Sequence, residues 1–278
     1  MKILTWDTDN FGDRLNEWIW PEYIESFIDD DSSNLLVGIG SLLNHRLPDS
    51  PIKHIFGSGV GHGELPTVDE KWKINWVRGP LSAKQLNLTD KQFITDPAIL
   101  IGDLVVPSTA KMYDYSFIPH CSAITPGTRE LLVNACRNAN IHFIDPTWPH
   151  MDVINHINQS KHLLTEALHG AVTADTLRVP WYPLTRQGIL EFKWLDWTMS
   201  MNLPYKPTQL LYRAQWFATN KPKKISRKAL LPIVRPIVKP ILYQQLNYLR
   251  KNATWKMSDS KTHSNKIEAI KLKLRECI

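Results

Sequence analysis

The segment from Leu163 to Pro180 constrains the fold most, because it spells a buried strand, a polar turn and a helix in direct succession. Leu163-Leu164-Thr165 is a short apolar run. Leu168, Val172 and Leu177, with small Ala171 and Ala174, then recur at near-helical spacing, so that one face can pack on a sheet until Pro180 ends the pattern. Glu166, His169 and Gly170 fall where strand gives way to helix, the edge at which open α/β sheets bind ligands. Free backbone N–H groups at a helix start favour an anion, and an imidazole beside an anion pocket suits proton transfer. A plain cap or a buried hydrogen-bonding histidine fits the same residues, and this stretch alone leaves both readings open.

Similar units precede it. Lys2 to Trp6 reads as a strand leading to Asn10-Phe11-Gly12-Asp13 and a helix through Trp18 to Phe27, with Pro21 inside it. Gly12 permits a tight turn and close backbone approach, and Asp13 is a candidate cap. Leu35 to Ser41 and His54 to Gly61 are short apolar runs ending in glycines, as parallel strands are. Gly57, Gly59 and Gly61 stand too close together for a dinucleotide fingerprint, which disfavours a Rossmann oxidoreductase. Ile74 to Val77 ends at Arg78, ahead of a helix opened by Pro80. Arg78 can clamp a carboxylate or phosphate, or form a salt bridge instead. Asp96, before Pro97, reads as a cap, a brace for the Arg78 turn or a substrate contact.

A second series follows a link at 111–116. The strand Tyr115 to Ile118 ends at Pro119-His120, and a helix is expected over Pro126–Asn138. Then come a strand from Ile141 to Ile144, a helix from Met151 to Asn158, the central segment, a strand Trp181 to Leu184 and a closing helix from Phe192. Two successive series imply an α/β protein of two Rossmann-like domains facing a cleft, over 1–112 and 113–219, with a tail over 220–278.

The tail differs in charge. Residues 220–278 hold fifteen Lys/Arg and three acids, a net of +12, which leaves the first 219 residues at −6 within the chain's +6. Pro232, Pro236 and Pro240 argue against one regular helix there. Apolar residues interleaved with Lys/Arg suit an anionic membrane surface, contacted through 221–256. A basic tail packed on the acidic body is the plainer alternative. Neither a signal-peptide apolar region at Met1–Asp7 nor a run of ~18 apolar residues is present, so a cytoplasmic protein is expected, peripheral on the inner face of the cell membrane. Three unpaired Cys suggest neither a disulfide framework nor a zinc site. The eleven Trp are expected mainly in the core, with sugar stacking as the rival use. An acidic body lacking an aromatic-basic surface disfavours nucleic acid.

Several pieces occur together in an order similar to that of polysaccharide pyruvyl transferases. They are Asn10-Phe11-Gly12-Asp13, Gly38-Ile39-Gly40-Ser41, Gly57-Ser58-Gly59, Val77-Arg78-Gly79-Pro80-Leu81-Ser82, Asp96-Pro97-Ala98, Ile118-Pro119-His120 and the stretch from Glu166 to Pro180. Trp181 and Lys193-Trp194-Leu195-Asp196-Trp197 resemble the succinoglycan-type ketal-pyruvate branch in particular. The resemblance covers residues 3–201 and implies a fold similar to GT-B glycosyltransferases. It implies phosphoenolpyruvate as donor, a lipid-linked or polymeric saccharide as acceptor, and a pyruvate ketal on an exopolysaccharide repeat unit. It makes His169 the candidate general acid/base, with the helix start at Gly170, Arg78 and the Gly59 turn at the donor. His120 would touch phosphate or share proton transfer. Asn10, Asp13 and Glu166 would meet acceptor hydroxyls. No metal and no cofactor beyond the donor is expected. Many members carry Arg where this chain has Ala167, a difference that the succinoglycan-type branch shares. A nucleotide-sugar glycosyltransferase on the same architecture, or a non-catalytic scaffold in polysaccharide assembly, stays open as an alternative.

Overall fold

The computed structural model describes residues 1–5, 9–61, 63–212 and 227–277, with only the backbone of 227–237. Short apolar runs build two wholly parallel sheets. In the first, β1 (Lys2–Ile3), β2 (Asn34–Val37), β3 (Ile52–Phe56) and β4 (Trp72–Trp76) lie side by side in chain order. The second has the order β6-β5-β7-β8-β9, from β5 (Ser116–Ile118), β6 (His142–Phe143), β7 (Leu163–Thr165), β8 (Trp181–Thr185) and β9 (Thr208–Gln209). Leu35, Leu36 and Val37 of β2 are buried, as are all three residues of β5 and of β7. Such unbroken burial is what helices on both faces of a parallel sheet impose.

The described helices are α1 (Phe11–Ile24), α2 (Pro80–Gln85), α3 (Ile101–Leu104), α4 (Pro126–Asn138), α5 (His150–Asn158), α6 (Leu168–Thr176), α7 (Glu191–Ser200), α8 (Arg227–Asn252) and α9 (Ser260–Cys277). In the second sheet the chain adds β6 to one side of β5 and then crosses to place β7 on the other. That reversal sets the loops after β5 and β7 beside each other, the topological switch point at which α/β sheets bind ligands.

Three local expectations change, and one strand is added. The first helix begins at Phe11, and Asn10 rather than Asp13 caps it, accepting from the Gly12 N–H at 3.3 Å. The central helix begins at Leu168, so Gly170 is its third residue rather than its start. The first strand closes at Ile3, and Trp6 lies outside the described residues. The strand β9 carried no pattern of its own in the sequence.

The tail is the largest correction. Pro232, Pro236 and Pro240 all lie within the single helix α8. Four-residue spacing puts the bonds that Pro236 and Pro240 cannot make along one face, so the ladder survives on the others. Packing supplies the rest: Val238, Leu242, Leu246 and Leu249 join a cluster with Leu131, Leu132 and Ala135 of α4. Tertiary burial of one face outweighs intrinsic propensity there. The following helix, α9, buries Ile267, Ile270 and Leu274 in the largest apolar cluster, which runs through both sheets' helices. Trp20, Trp181, Trp194 and Trp197 are core residues of that cluster too. Among the described residues, no helix is long and apolar enough to cross a membrane.

Candidate active site

A pocket of about 390 Å³ opens where the two sheets present their carboxyl ends. The first sheet's side contributes Asn10, Phe11 and Asp13 at the start of α1, and the loop from Gly40 through Ser41 and Leu42 to Asn44 and Arg46. The second contributes His120 and Cys121 after β5, Pro146 after β6, Ala167, Leu168 and His169 after β7, and Lys193 of α7. Asn16 holds this arrangement: its side chain bonds both the Ile39 N–H (2.7 Å) and the Ile39 carbonyl (2.8 Å), locking α1 to the loop after β2. Phe11 donates its N–H to the Pro146 carbonyl at 3.1 Å, stitching the two loops across the pocket. Four of the residues expected at a site therefore meet here: Asn10, Asp13, His120 and His169.

His169 sits in the first turn of α6 with its side chain 12% exposed and Nε2 3.4 Å from Asp96 Oδ2, which is fully buried. Asp96 Oδ1 accepts from the Ala98 N–H at 3.0 Å, so the carboxylate is anchored on the turn Pro97–Leu100 and points one oxygen at the imidazole. Burial works to raise the Asp96 pKa. The charge and hydrogen bonding of His169, with the Arg78 guanidinium, outweigh that and hold it below the usual carboxylate value. On the other side of the ring, Nδ1 lies against Gly12, where any Cβ would overlap it. The imidazole is thus fixed between a carboxylate and a bare backbone, as a positioned acid/base must be.

His120 has a second set of partners. Its Nδ1 accepts from the Ser122 N–H at 3.2 Å and pairs with Ser122 Oγ at 2.8 Å, while Nε2 stands 3.2 Å from Lys193 Nζ. Burial, with the repulsion of Arg78, pulls Lys193 down to about 8. Beneath the pocket wall Glu166 is fully buried, and Oε2 accepts from the Tyr212 hydroxyl (2.7 Å) and the His120 N–H (3.2 Å), with Arg186 Nε at 3.4 Å. Burial raises the Glu166 pKa, against the charge of Arg186. Glu166 therefore positions the His120 loop and is not among the residues lining the pocket.

Arg78 is the main departure. Its side chain is fully buried, and the guanidinium donates to Asp196 Oδ2 (3.0 Å), Ser41 Oγ (2.8 Å) and the Val60 carbonyl (3.0 Å). Asp196 also accepts from the Ser82 N–H (2.9 Å) and hydroxyl (2.5 Å). Arg78 is absent from the pocket lining and ties the end of β4 to α7; it reaches the pocket through its bond to Ser41 and through its charge, which acts on Asp96 and Lys193. A desolvated guanidinium with a buried carboxylate in reach satisfies itself internally. Gly59 lies under the same guanidinium, so its lack of a side chain makes room for Arg78. Gly170 packs against Thr165 and Ile118, with neither it nor Gly59 lining the pocket.

Asp96, Lys193, Cys121 and the Ser41–Arg46 loop carried no decisive sequence signal, because their partners are remote in the chain. Gly40-Ser41, Asp96-Pro97-Ala98 and Lys193-Trp194-Leu195-Asp196 were visible as pieces of the family resemblance, without their partners.

Fold and site together define an α/β protein whose titratable side chains gather at a pocket between the carboxyl ends of two parallel sheets. Over 217 residues the chain is 37% identical to the succinoglycan biosynthesis protein ExoV of Rhizobium meliloti (strain 1021), covering 76% of this chain and 68% of ExoV. It belongs to the polysaccharide pyruvyl transferase family, in the succinoglycan-type branch. No protein-family model matches the chain, and no solved structure does.

Proposed function

We propose that this protein transfers the enolpyruvyl group of phosphoenolpyruvate to a sugar of an exopolysaccharide repeat unit and closes it into a pyruvate ketal. The observation that carries this reading is the Asp96–His169 pair at the N-terminus of α6, inside a pocket that also holds Lys193. Ketal formation needs a proton on the methylene carbon, so that the neighbouring carbon becomes oxocarbenium-like and open to hydroxyls. With Nε2 turned to Asp96, His169 Nδ1 is the ring atom left for that delivery. The donor's negative groups find the N–H groups opening α6, where Ala167 provides no side-chain cap. Lys193, not Arg78, is the basic side chain that lines the pocket beside them.

In this reading the two sheets act as the lobes of a GT-B-like arrangement, with the acceptor lying along Asn10, Asp13 and the Ser41–Arg46 loop. The acceptor is lipid-linked or polymeric. The excess of Lys/Arg in α8 and α9 supports contact with an anionic membrane surface, although α8 spends Val238, Leu242, Leu246 and Leu249 on the protein core. Cosedimentation with anionic against neutral vesicles tests that contact.

The test of the main reading is incubation of the purified protein with phosphoenolpyruvate and a saccharide acceptor. Acceptor-dependent phosphate release, a pyruvate ketal found by mass spectrometry, and loss of both in His169→Ala are expected. Consumption of a nucleotide-sugar with phosphoenolpyruvate untouched would sink it.

A further inference from the structure

The hydrogen bonds around His120 run in one direction. Arg186 Nη2 donates to Ser122 Oγ at 2.6 Å, which leaves the Ser122 hydroxyl proton for His120 Nδ1 at 2.8 Å. The Ser122 backbone N–H also donates to Nδ1. An Nδ1 that accepts leaves the neutral ring's proton on Nε2. That N–H points at Lys193 Nζ, 3.2 Å away, which must therefore offer a lone pair. The network thus provides a donor for the amine form of Lys193.

We propose that Lys193 is a second proton carrier in this pocket, taking the proton of an acceptor hydroxyl and passing it to the phosphate oxygen that leaves. The proposal rests on the pyruvyl-transfer reading and completes its proton balance. As the first hydroxyl oxygen bonds to C2, the C2–C3 π electrons take a proton from the His169 imidazolium, and the hydroxyl proton goes to the Lys193 amine. The C2–O bond to phosphate then breaks, with its electron pair leaving on oxygen and the Lys193 ammonium protonating it. The second hydroxyl adds to the oxocarbenium carbon and returns its proton to His169. Each group ends as it began. The products are the ketal and hydrogen phosphate, and no outside acid, base or oxidant is consumed.

The charged and titratable groups facing Lys193 are Arg78 from the end of β4, Cys121 and His120 from the loop after β5, Asp13 from α1 and Asp96 from the turn before α3. Arg78 and burial favour the amine; Asp13, Asp96 and the Cys121 thiol oppose them. His120 orients the amine through Nε2 and is a positioning residue.

Lys193→Arg keeps a cation but cannot serve as a base near neutral pH. It is expected to keep KM for phosphoenolpyruvate within about threefold while kcat falls about 10²–10⁴-fold, the usual worth of a positioned acid/base. The kcat/KM profile of wild type should be bell-shaped, because Lys193 must be unprotonated and His169 protonated, and the variant should lack the ascending limb. Competitive acetylation of the wild type, read by mass spectrometry, should give Lys193 an apparent pKa of about 8 whether or not turnover is assayed. A Lys193→Arg enzyme within fivefold of wild type (roughly 1 kcal/mol), or acetylation of Lys193 at an ordinary lysine pKa, overturns this proposal alone. No turnover of phosphoenolpyruvate by wild type overturns the underlying reading, and this one with it.

Discussion

Gly12 and His169, far apart in the chain, touch face to face: the place where a Cβ of Gly12 would stand is taken by His169 Nδ1. The first turn of α1 is thereby a wall of the pocket against which the imidazole is set. Gly12→Ala should push the ring off Asp96 and lower kcat about 10²-fold, the effect of misplacing a reacting group by an ångström or so. Circular dichroism and thermal unfolding should stay near wild type, because the site faces a cavity that can accept the displaced ring. A Gly12→Ala enzyme with full kcat would mean that His169 need not hold this position.

Asp96→Asn should keep the fold and lower kcat by about 10² or more, since the amide neither orients nor stabilises an imidazolium as the carboxylate does. The pH dependence follows from its sign. Asp96 is held below its ordinary value of about 3.9 in the folded protein. Its contribution to stability is therefore complete above about pH 4 and fades as pH falls through the folded value. Urea midpoints measured from pH 6 down to pH 2 should lose part of their acid slope in the variant.

The Arg78–Asp196 pair predicts a stability defect. Arg78→Ala leaves a fully buried carboxylate with its charge uncompensated, a change that costs about 3–5 kcal/mol. The double variant Arg78→Met/Asp196→Leu should recover much of that loss. Equal denaturation midpoints for wild type and Arg78→Ala would show that the pair bears no such burden.

Ile270 is fully buried on α9, the helix that packs on the turn Pro97–Leu100. Ile270→Ala should cost about 2–4 kcal/mol. Because that turn seats Asp96, activity should fall at temperatures where the fold still holds. Removal of 260–277 should give an aggregation-prone protein, which size-exclusion chromatography would reveal; a monodisperse, active truncation would contradict this.

What the sequence disclosed was local. Leu163 to Pro180 could be read because strand, turn and helix are written within one short segment, and His169 stands at their junction. Arg78 was visible as an arginine at a strand end, but its destination was not. Asp196 lies 118 positions away, and a buried cation pairs with whichever carboxylate the tertiary fold brings near. Lys193 was likewise visible only within a run resembling one branch of the family, since its partner His120 lies 73 positions earlier. The prolines of α8 misled because their cost is local, whereas the burial of Leu242 and Leu246 that offsets it depends on α4, about a hundred residues earlier.

The last helix also has a bearing on when this protein becomes competent. Lys266 of α9 donates to the Ile94 carbonyl at 2.9 Å, and Thr176 Oγ1 joins His263 Nε2 (2.9 Å) to the Ile99 carbonyl (2.7 Å), on either side of Asp96. A ribosome delivers those α9 residues only after both sheets have emerged. The nascent polypeptide can therefore assemble its strands early, but the bracing around Asp96 waits until α9 has been made.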